Sequence, residues 1–382
     1  MKRIRILVFI LCACFVSVAW GQQPAATCIN NWSEFHRTNM KRWNPCEKVL
    51  NVNNVGNLGL KWRYTTGGAV FSSPAVANGV VYVGSFDGNV YALKATTGAK
   101  LWSYTTGGEV ESSPAVVNGV VYVGSDDDNV YALKASTGAK LWSYAAGDRV
   151  TSSPTVANGV VYVGSLDNNV YALNAKTGAK LWSYITADGV TSSPAVANGV
   201  VYVGSRDGNV YALKANTGAK LWTYATGGPV DFCSPAVANG VVYVGSADSN
   251  VYALKASTGA KLWSYTTGGK VDSSPAVANG AVYVGSADSN VYALNAKTGA
   301  KLWSYTTGGK VFPSSPAVAN GVVYVGSLDN NVYALKASAG AKLWSYTTGS
   351  LVGSSPAVAN GMVYVSSWDN NVYAFGLKKG RK

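Results

Sequence analysis

The 382-residue sequence contains little histidine, methionine or charge. A single histidine, His36, argues against histidine-based catalysis and against a metal site built from several histidines. Three methionines and few leucines argue against a helical protein, whereas abundant valine and tyrosine favour strands. Charged residues make up 13% of the chain, so glycine, serine, threonine and asparagine must cover much of the surface. The hydrophobic share of 48% nevertheless excludes a wholly disordered chain.

The N-terminus has the pattern of a targeting signal. Residues 1–5 include three basic side chains, residues 6–19 are apolar, and Ala19 and Gly21 supply the small side chains that a signal peptidase recognises. The apolar stretch is too short for a comfortable transmembrane helix, so we predict a bacterial-type signal peptide over residues 1–21, cleaved near Gly21. The mature protein would be secreted or periplasmic, with no transmembrane anchor. A lipoprotein with Cys14 as the lipid acceptor stays an alternative.

Three cysteines would remain after cleavage, in an oxidising compartment. Cys28 and Cys46 both lie in a lead-in segment, residues 22–59, and we predict a disulfide between them. Cys233 would then be the odd thiol. No histidine, arginine or lysine adjoins it in the sequence to lower its pKa, so a reactive thiol is not favoured.

The rest of the sequence consists of eight copies of one unit of about forty residues. Each of the first seven copies contains four short strand signals, A to D, separated by turn signals such as Asn78-Gly79 between A and B and Thr97-Gly98 between C and D. Strand B is apolar without alternation, so both of its faces should be buried. A four-stranded sheet covered on both faces by copies of itself is a propeller blade. The copies are marked by Pro74, Pro114, Pro154, Pro194, Pro235, Pro275, Pro316 and Pro356.

The two ends of the repeat region complement each other. The eighth unit ends after strand C, at Phe375, and residues 60–68 look like a strand D that has no A, B or C of its own. We therefore predict an all-β, eight-bladed propeller of four-stranded antiparallel blades over residues 60–382. The N-terminal strand, residues 60–66, would close the ring by completing the last blade, which leaves no exposed blade edge at the ends.

A family resemblance lies at the turn between strands C and D. The run Ala92–Trp102 resembles the tryptophan-docking motif of pyrroloquinoline quinone (PQQ) repeat proteins, which include quinoprotein dehydrogenases, sensor domains of membrane kinases and the lipoprotein scaffold of outer-membrane barrel assembly. The resemblance implies one tryptophan per blade that locks neighbouring blades together. It also makes PQQ with calcium possible cofactors, by resemblance alone. The docking tryptophans would be Trp62, Trp102, Trp142, Trp182, Trp222, Trp263, Trp303 and Trp344.

Comparison of the eight units separates two faces of the ring. The A–B and C–D turns form a nearly constant face, whereas the D–A and B–C loops form a variable face that also contains both single-residue insertions. Variation on one face is typical of a binding face, and neutral drift of loops is the competing interpretation. The candidate ligand-binding residues on the variable face are Phe86, Glu111, Asp126, Arg149, Arg206, Asp231, Asp272 and Trp368.

Two repeated charged positions remain. An Asp recurs in every B–C turn, as Asp87 in the first unit, and a turn role is favoured over a metal site, so no metal is predicted. Lysines recur at the end of strand C and in the C–D turn. Solubility and protection of edge strands are favoured as their role, with attraction of an anionic polymer as the alternative.

Two classes of function stay open. The favoured one is a monomeric, non-catalytic scaffold that binds a protein or a saccharide through the variable face; a barrel-assembly lipoprotein is a special case of it. The alternative is a PQQ- and calcium-dependent alcohol or sugar dehydrogenase, for which we assign no catalytic residue because the units are nearly identical and the insertions are single residues. Nucleic acid is not expected, since arginine is scarce and no aromatic residues interleave the lysines.

Overall fold

The computed structural model describes residues 30–37 and 41–378. The predicted signal peptide, Cys14 and Cys28 lie outside these described residues. Cys46 is disulfide-bonded, and its pairing with Cys28 stays a prediction. In the described part of the chain, no helix has the length and apolar character needed to cross a membrane.

Thirty-three strands account for nearly all regular structure in the described residues. Before the first full blade come β1 (Trp43–Asn44), a 3₁₀ helix (Val55–Asn57) and β2 (Leu58–Thr65). Blades 1 to 4 are β3 (Ala75–Ala77), β4 (Val80–Gly84), β5 (Asn89–Lys94), β6 (Lys100–Thr105); β7 (Ala115–Val117), β8 (Val120–Gly124), β9 (Asn129–Lys134), β10 (Lys140–Ala145); β11 (Thr155–Ala157), β12 (Val160–Gly164), β13 (Asn169–Asn174), β14 (Lys180–Ile185); and β15 (Ala195–Ala197), β16 (Val200–Gly204), β17 (Asn209–Lys214), β18 (Lys220–Ala225).

Blades 5 to 8 repeat the same pattern, and only the last lacks a fourth strand of its own. They are β19 (Ala236–Ala238), β20 (Val241–Gly245), β21 (Asn250–Lys255), β22 (Lys261–Thr266); β23 (Ala276–Ala278), β24 (Ala281–Gly285), β25 (Asn290–Asn295), β26 (Lys301–Thr306); β27 (Ala317–Ala319), β28 (Val322–Gly326), β29 (Asn331–Lys336), β30 (Lys342–Thr347); and β31 (Ala357–Ala359), β32 (Met362–Ser366), β33 (Asn371–Leu377).

The strands form the predicted eight-bladed propeller. Within each blade, strands A, B, C and D are neighbours in sequence order and antiparallel. The A strands of adjacent blades contact one another around the ring, so A is innermost and D is the outer edge. Closure through the N-terminal strand is confirmed: β2 pairs antiparallel with β33, from Thr65 opposite Asn371 to Leu58 opposite Leu377, and begins two residues before the predicted start.

Each tryptophan of the repeated motif packs on the next blade. Trp102 Nε1 donates to the Ala135 carbonyl at 2.8 Å, and its ring covers Gly138, where a Cβ would lie 2.6 Å from the ring. Glycine is required there by this contact and by its φ of +74°. We call the contact between two adjacent blades a seam. Six further seams have the same hydrogen bond, in the pairs Trp62–Ala95, Trp142–Ala175, Trp182–Ala215, Trp222–Ala256, Trp263–Ala296 and Trp303–Ala337.

The seam between blades 7 and 8 differs from the others. There Trp344 Nε1 donates to the carbonyl of Leu58, at 3.1 Å, and the ring is only partly buried. Blade 8 has no C–D turn because its strand D comes from the other end of the chain. The usual alanine carbonyl is therefore absent, and the first residue of the closing strand takes its place.

The central channel is filled from the constant face by a plug, residues 30–37 and 41–57. Its β1 pairs parallel with β27, so blade 7 has five strands instead of the predicted four. Inner strands leave backbone groups unpaired toward the channel, and the plug satisfies several of them. Backbone hydrogen bonds of 2.7–3.0 Å join Trp32 to Val76, Ser33 to Val116, Lys41 to Val277 and Arg42 to Val318.

Candidate binding face

At the variable face the channel ends in a cavity of about 50 Å³. We call this opening the mouth. Phe35 of the plug forms its floor, and serines of the Ser-Ser-Pro motif form its wall. Eight residues, one from each blade, form the rim. Each lies three positions before a repeat proline, at a position where the residue type differs between blades. We call these eight residues the mouth ring: Phe71, Glu111, Thr151, Thr191, Phe232, Asp272, Pro313 and Gly353. All but Asp272 line the cavity.

The wall is a closed circle of serines. The backbone N–H of Ser73 donates to the Oγ of Ser113 in the next blade, and the pattern continues until Ser355 donates to Ser73. Because every blade must supply one donor and one acceptor, the second serine of the motif cannot vary. The eight N–H to Oγ distances are 2.8–3.0 Å, and the members are Ser73, Ser113, Ser153, Ser193, Ser234, Ser274, Ser315 and Ser355.

Cys233 occupies the position of the first serine of this motif in blade 5. Its Sγ accepts the N–H of Gly245 at 3.0 Å and lies 3.4 Å from the carbonyl of Ser273. Ser72, Ser112 and Ser152 make the same two contacts in blades 1 to 3. The thiol is fully buried, and burial raises its pKa. This geometry supports a structural thiol.

A buried arginine, Arg42, packs against the phenylalanine that forms the floor. The guanidinium of Arg42 lies 4.5 Å from the ring centroid of Phe35, within cation–π distance, and donates to the carbonyls of Pro316 and Pro356. Burial lowers the pKa of Arg42 to about 9, so it stays charged at neutral pH. His36 lies beside it; burial and the charge of Arg42 lower its pKa to about 3 despite its contact with the Ser193 carbonyl. The single histidine is thus a neutral residue of the plug.

An aromatic cluster crosses the mouth. Phe71 stacks on Phe86 and on Trp368, with ring centroids 6.1 and 5.7 Å apart. It also contacts Phe232 at 6.2 Å, which in turn meets Phe312 edge-on at 6.1 Å. Phe71 precedes blade 1 and Phe232 precedes blade 5, so the cluster joins opposite sides of the ring.

An acidic cluster lies next to the aromatic one. Carboxylate oxygens of Glu109, Glu111 and Asp126 lie within 4.8 Å of one another, and Arg149 pairs with Asp126 at 3.7 Å. Burial, helped by the charges of Asp126 and Glu109, raises the pKa of Glu111 to about 7. Burial also raises the pKa of Asp126, and Arg149 opposes that rise. The buried Asp126 Oδ1 and Thr151 Oγ1 have no hydrogen-bond partner among the described residues.

A third group lies between blades 4 and 7. Asp231 accepts the hydroxyl of Thr191 at 2.7 Å and pairs with Arg206 at 3.5 Å. Burial and the charge of Asp231 raise the pKa of Asp272 to about 6, and Lys270 opposes that rise. A pocket of about 320 Å³ is lined by Asp231, Lys270 and Asp272 among others.

The repeated Asp of the B–C turn is fully used by the fold. Oδ1 of Asp87 accepts the N–H of Asn89 at 2.9 Å, and Oδ2 accepts the Tyr91 hydroxyl and the N–H of Gly67, each at 2.6 Å. Burial alone would raise the pKa of Asp87, but these hydrogen bonds outweigh it and lower the pKa. Gly67 belongs to the loop that leads out of the neighbouring blade, so the turn Asp also joins blades.

The structure thus sorts the eight predicted ligand residues into three groups at one face. They are an aromatic group with Phe86 and Trp368, an acidic group with Glu111, Asp126 and Arg149, and a mixed group with Arg206, Asp231 and Asp272. Sequence reasoning missed Phe71, the centre of the aromatic group. An alignment of the eight units at the residue three before each proline would have found it, because that column changes in almost every blade.

Two family profiles match consecutive parts of the chain. The profile described as beta-alanine-activating enzyme, beta-propeller, matches residues 48–240. The profile described as outer membrane protein assembly factor BamB matches residues 226–318 and 308–382.

Individual relatives are more distant. Lupanine 17-hydroxylase [cytochrome c] from a Pseudomonas species is 36% identical over 95 residues, which cover 23% of this chain and 14% of that protein, so the chain matches only a small part of its length. BamB from Moraxella catarrhalis superposes with a TM-score of 0.73 at 22% identity, over 84% of this chain and 99% of that one. Quinohemoprotein alcohol dehydrogenase ADHIIG from Pseudomonas putida HK5 gives 0.78 at 19% identity, over 92% and 81%. At these identities the two structures share the fold.

Proposed function

The chain belongs to the PQQ-like β-propeller repeat family, and we propose that it is a secreted or periplasmic, non-catalytic scaffold whose variable face binds a basic segment of a partner protein. The observation that supports this most is the mouth ring, where the otherwise uniform copies disagree and where aromatic rings meet carboxylates. Rings beside carboxylates suit a cationic side chain, which the ring faces and the negative charges both attract.

The charge of the loops supports a basic partner. Apart from the turn Asp, the D–A and B–C loops contain eight acidic residues and four basic ones. The basic residues are Arg149, Arg206, Lys270 and Lys310, and two of them are already paired with carboxylates. The acidic ones are Glu109, Glu111, Asp126, Asp128, Asp148, Asp188, Asp231 and Asp272.

The mouth does not fit PQQ. Its cavity of about 50 Å³ is far smaller than the roughly 300–1,000 Å³ typical of small-molecule pockets. PQQ carries carboxylates and needs cationic partners. Among the described residues that line the cavity, the charged side chain is that of Glu111, which is acidic and would repel these carboxylates. We derive no reaction step through this cofactor.

A barrel-assembly role is the narrower form of the same proposal. One matching profile and one similar structure bear the name of an outer membrane assembly factor. A lipid on Cys14 would favour this form, and mass spectrometry of the mature N-terminus tests for that lipid.

Isothermal titration calorimetry tests the proposed cationic site. The probe is a short lysine-rich peptide, and its glutamate counterpart is the control ligand. The double variant Glu111→Gln/Asp126→Asn should weaken binding of the lysine peptide about tenfold, since it removes two of the three carboxylates of the acidic cluster. The variant Asp148→Asn/Asp188→Asn loses the same charge outside the acidic cluster and should stay within about twofold. Equal binding of both peptides, or no binding of the lysine peptide, contradicts the proposal.

Thermal unfolding with PQQ and Ca²⁺ tests the enzyme alternative. We expect no shift of the midpoint, because a ligand stabilises the folded state only where it binds it. A saturable rise together with dye-linked oxidation of an alcohol or a sugar would replace the scaffold proposal by the dehydrogenase.

A further inference from the structure

The two faces of the ring carry opposite charge. Of the 18 acidic residues, only Glu34 and Glu47 lie outside the variable-face loops, and both are buried in the plug. The C–D segments of the constant face contain fourteen exposed lysines and no acidic residue. They are Lys94, Lys100, Lys134, Lys140, Lys176, Lys180, Lys214, Lys220, Lys255, Lys261, Lys297, Lys301, Lys336 and Lys342.

Solubility and edge protection do not account for this pattern. A surface that serves solubility mixes both signs of charge, and here one sign is missing. Edge protection requires charge on strand D, the outer edge of the blade, and so explains only the seven lysines that begin that strand, such as Lys100. Five of the lysines, such as Lys94, end strand C, which is paired on both sides. None of the fourteen forms an ion pair with a described residue.

Exposed leucines accompany the lysines. One leucine per blade, the second residue of strand D, is 44–53% exposed in six blades. Leu181 lines a groove of about 530 Å³ between blades 3 and 4 with Tyr162 and Ala215, and Leu141 lines the matching groove of about 540 Å³ one seam earlier. Each leucine directly follows a lysine in the chain. The six are Leu101, Leu141, Leu181, Leu221, Leu262 and Leu302.

The constant face is also level. Its A–B turns are all Asn-Gly and its seven C–D turns all have the same length, so no loop stands above the others. The plug fills the centre, where Val49 is 51% exposed beside Lys48 and packs against Gly361 of an A–B turn. A level ring with paired basic and apolar side chains matches a planar, anionic and partly apolar surface.

We propose that the constant face docks the propeller on an anionic phospholipid membrane. The lysines contact headgroup phosphates, and the leucines enter the boundary between headgroups and acyl chains. The variable face then points away from the membrane and stays accessible. The proposal does not depend on the partner of the mouth.

Vesicle co-sedimentation of the full chain tests the docking. Vesicles of phosphatidylcholine are compared with vesicles that contain about one-third phosphatidylglycerol, and binding is expected only to the latter. The variant Lys140→Gln/Lys180→Gln/Lys220→Gln/Lys261→Gln should weaken binding at least about tenfold. The control variant Arg149→Gln/Arg206→Gln/Lys270→Gln/Lys310→Gln loses the same charge from the opposite face and should stay within about twofold. Gel filtration and circular dichroism confirm that both variants are folded.

The leucines are tested separately. The variant Leu141→Ser/Leu181→Ser/Leu221→Ser keeps all lysines, so it should still bind the anionic vesicles at low salt. At high salt, where the charges are screened, it should lose binding, whereas the parent keeps a residual apolar interaction. Ile185→Ser, at the variable-face end of strand D, serves as the control and should not change binding. Equal loss in both charge variants overturns the proposal. So does binding to a soluble polyanion such as polyphosphate without binding to the anionic vesicles.

Discussion

The constant and variable faces are made from the same eight copies, yet they obey different constraints. On the constant face, the space beside each C–D turn is filled by the tryptophan of the preceding blade: a Cβ on Gly138 would collide with the ring of Trp102. At the mouth, seven of the eight residues three positions before a proline line an opening. The eight copies have phenylalanine, glutamate, threonine, aspartate, proline or glycine there.

The comparison shows that position in the ring, more than membership of a loop, decides what can vary. The B–C loop illustrates this within three residues. Leu166 begins a loop whose first residue differs between blades, whereas Asp167 accepts hydrogen bonds from Asn169, Tyr171 and Gly147, the last of which comes from the neighbouring blade. A residue is fixed where a neighbouring blade depends on it.

Removing the closing strand should have the largest effect, because the whole ring depends on it. Deletion of residues 60–68 exposes the edge of β33 and removes Trp62, so we expect aggregation or loss of the folded monomer. Light scattering and gel filtration measure this. Deletion of residues 379–382 is the control and should leave a monomer. A monomeric 60–68 deletion of unchanged stability would show that both faces persist without closure.

Removal of a docking tryptophan should affect the constant face next most strongly. Trp182→Ala creates a cavity beneath Gly218 and leaves the Ala215 carbonyl without its donor, so it should cost about 3–5 kcal/mol in free energy of unfolding. Trp344→Ala should cost less, since that ring is more exposed. Equilibrium unfolding in urea measures both. A loss below about 1 kcal/mol for Trp182→Ala would contradict the docking role.

Substitutions of two neighbouring residues in one B–C loop, Leu166 and Asp167, should differ clearly in their effect on the free energy of unfolding. Asp167→Ala leaves the Tyr171 hydroxyl and two backbone N–H groups without their acceptor and should cost about 1–3 kcal/mol. Leu166→Ala should change stability by no more than about 0.5 kcal/mol, because this position is free of such partners. Similar losses in the two variants would remove the distinction between fixed and variable positions.

The smallest effect should be the contribution of one mouth carboxyl, Glu111, to the dependence of stability on pH. The raised pKa of Glu111 means that the folded state binds its proton more tightly than the unfolded chain does. Stability should therefore fall as the pH rises from about 4.5 to about 7, as the carboxyl loses that proton. Burial also raises the pKa of Glu34 in the plug and of Asp272, so part of the slope belongs to them. Glu111→Gln should therefore make the slope shallower, whereas Glu109→Gln, at an exposed site, should keep most of it. Parallel pH profiles of thermal unfolding for the parent and Glu111→Gln would contradict the assignment.

Much of the fold could be predicted because one sequence unit repeats around the ring, so that the features of one blade recur in the others. The spacing of the prolines gave the number of blades, the orphan strand at residues 60–66 gave the closure, and Asn-Gly turns gave the hairpins. The plug could not be predicted in this way. Its segment has no repeat, and its place depends on the inward-facing backbone groups of strands far apart in the sequence, such as Val76 and Val318, which come together only when the ring is closed.

The candidate site was also predictable only in part. The sequence placed Phe86, Glu111, Asp126 and Trp368 on one face, because a loop's face follows from strand order. It did not show that Phe71 would join Phe232 across the channel.

By itself, the sequence determined the blade, its number of copies and the face on which copies differ, since these depend on local periodicity and on contacts between successive units. Only the tertiary structure decided which residues meet at the mouth, what forms its floor and how charge divides between the faces. Those features depend on distances across a closed ring, where residues separated by half the chain become neighbours.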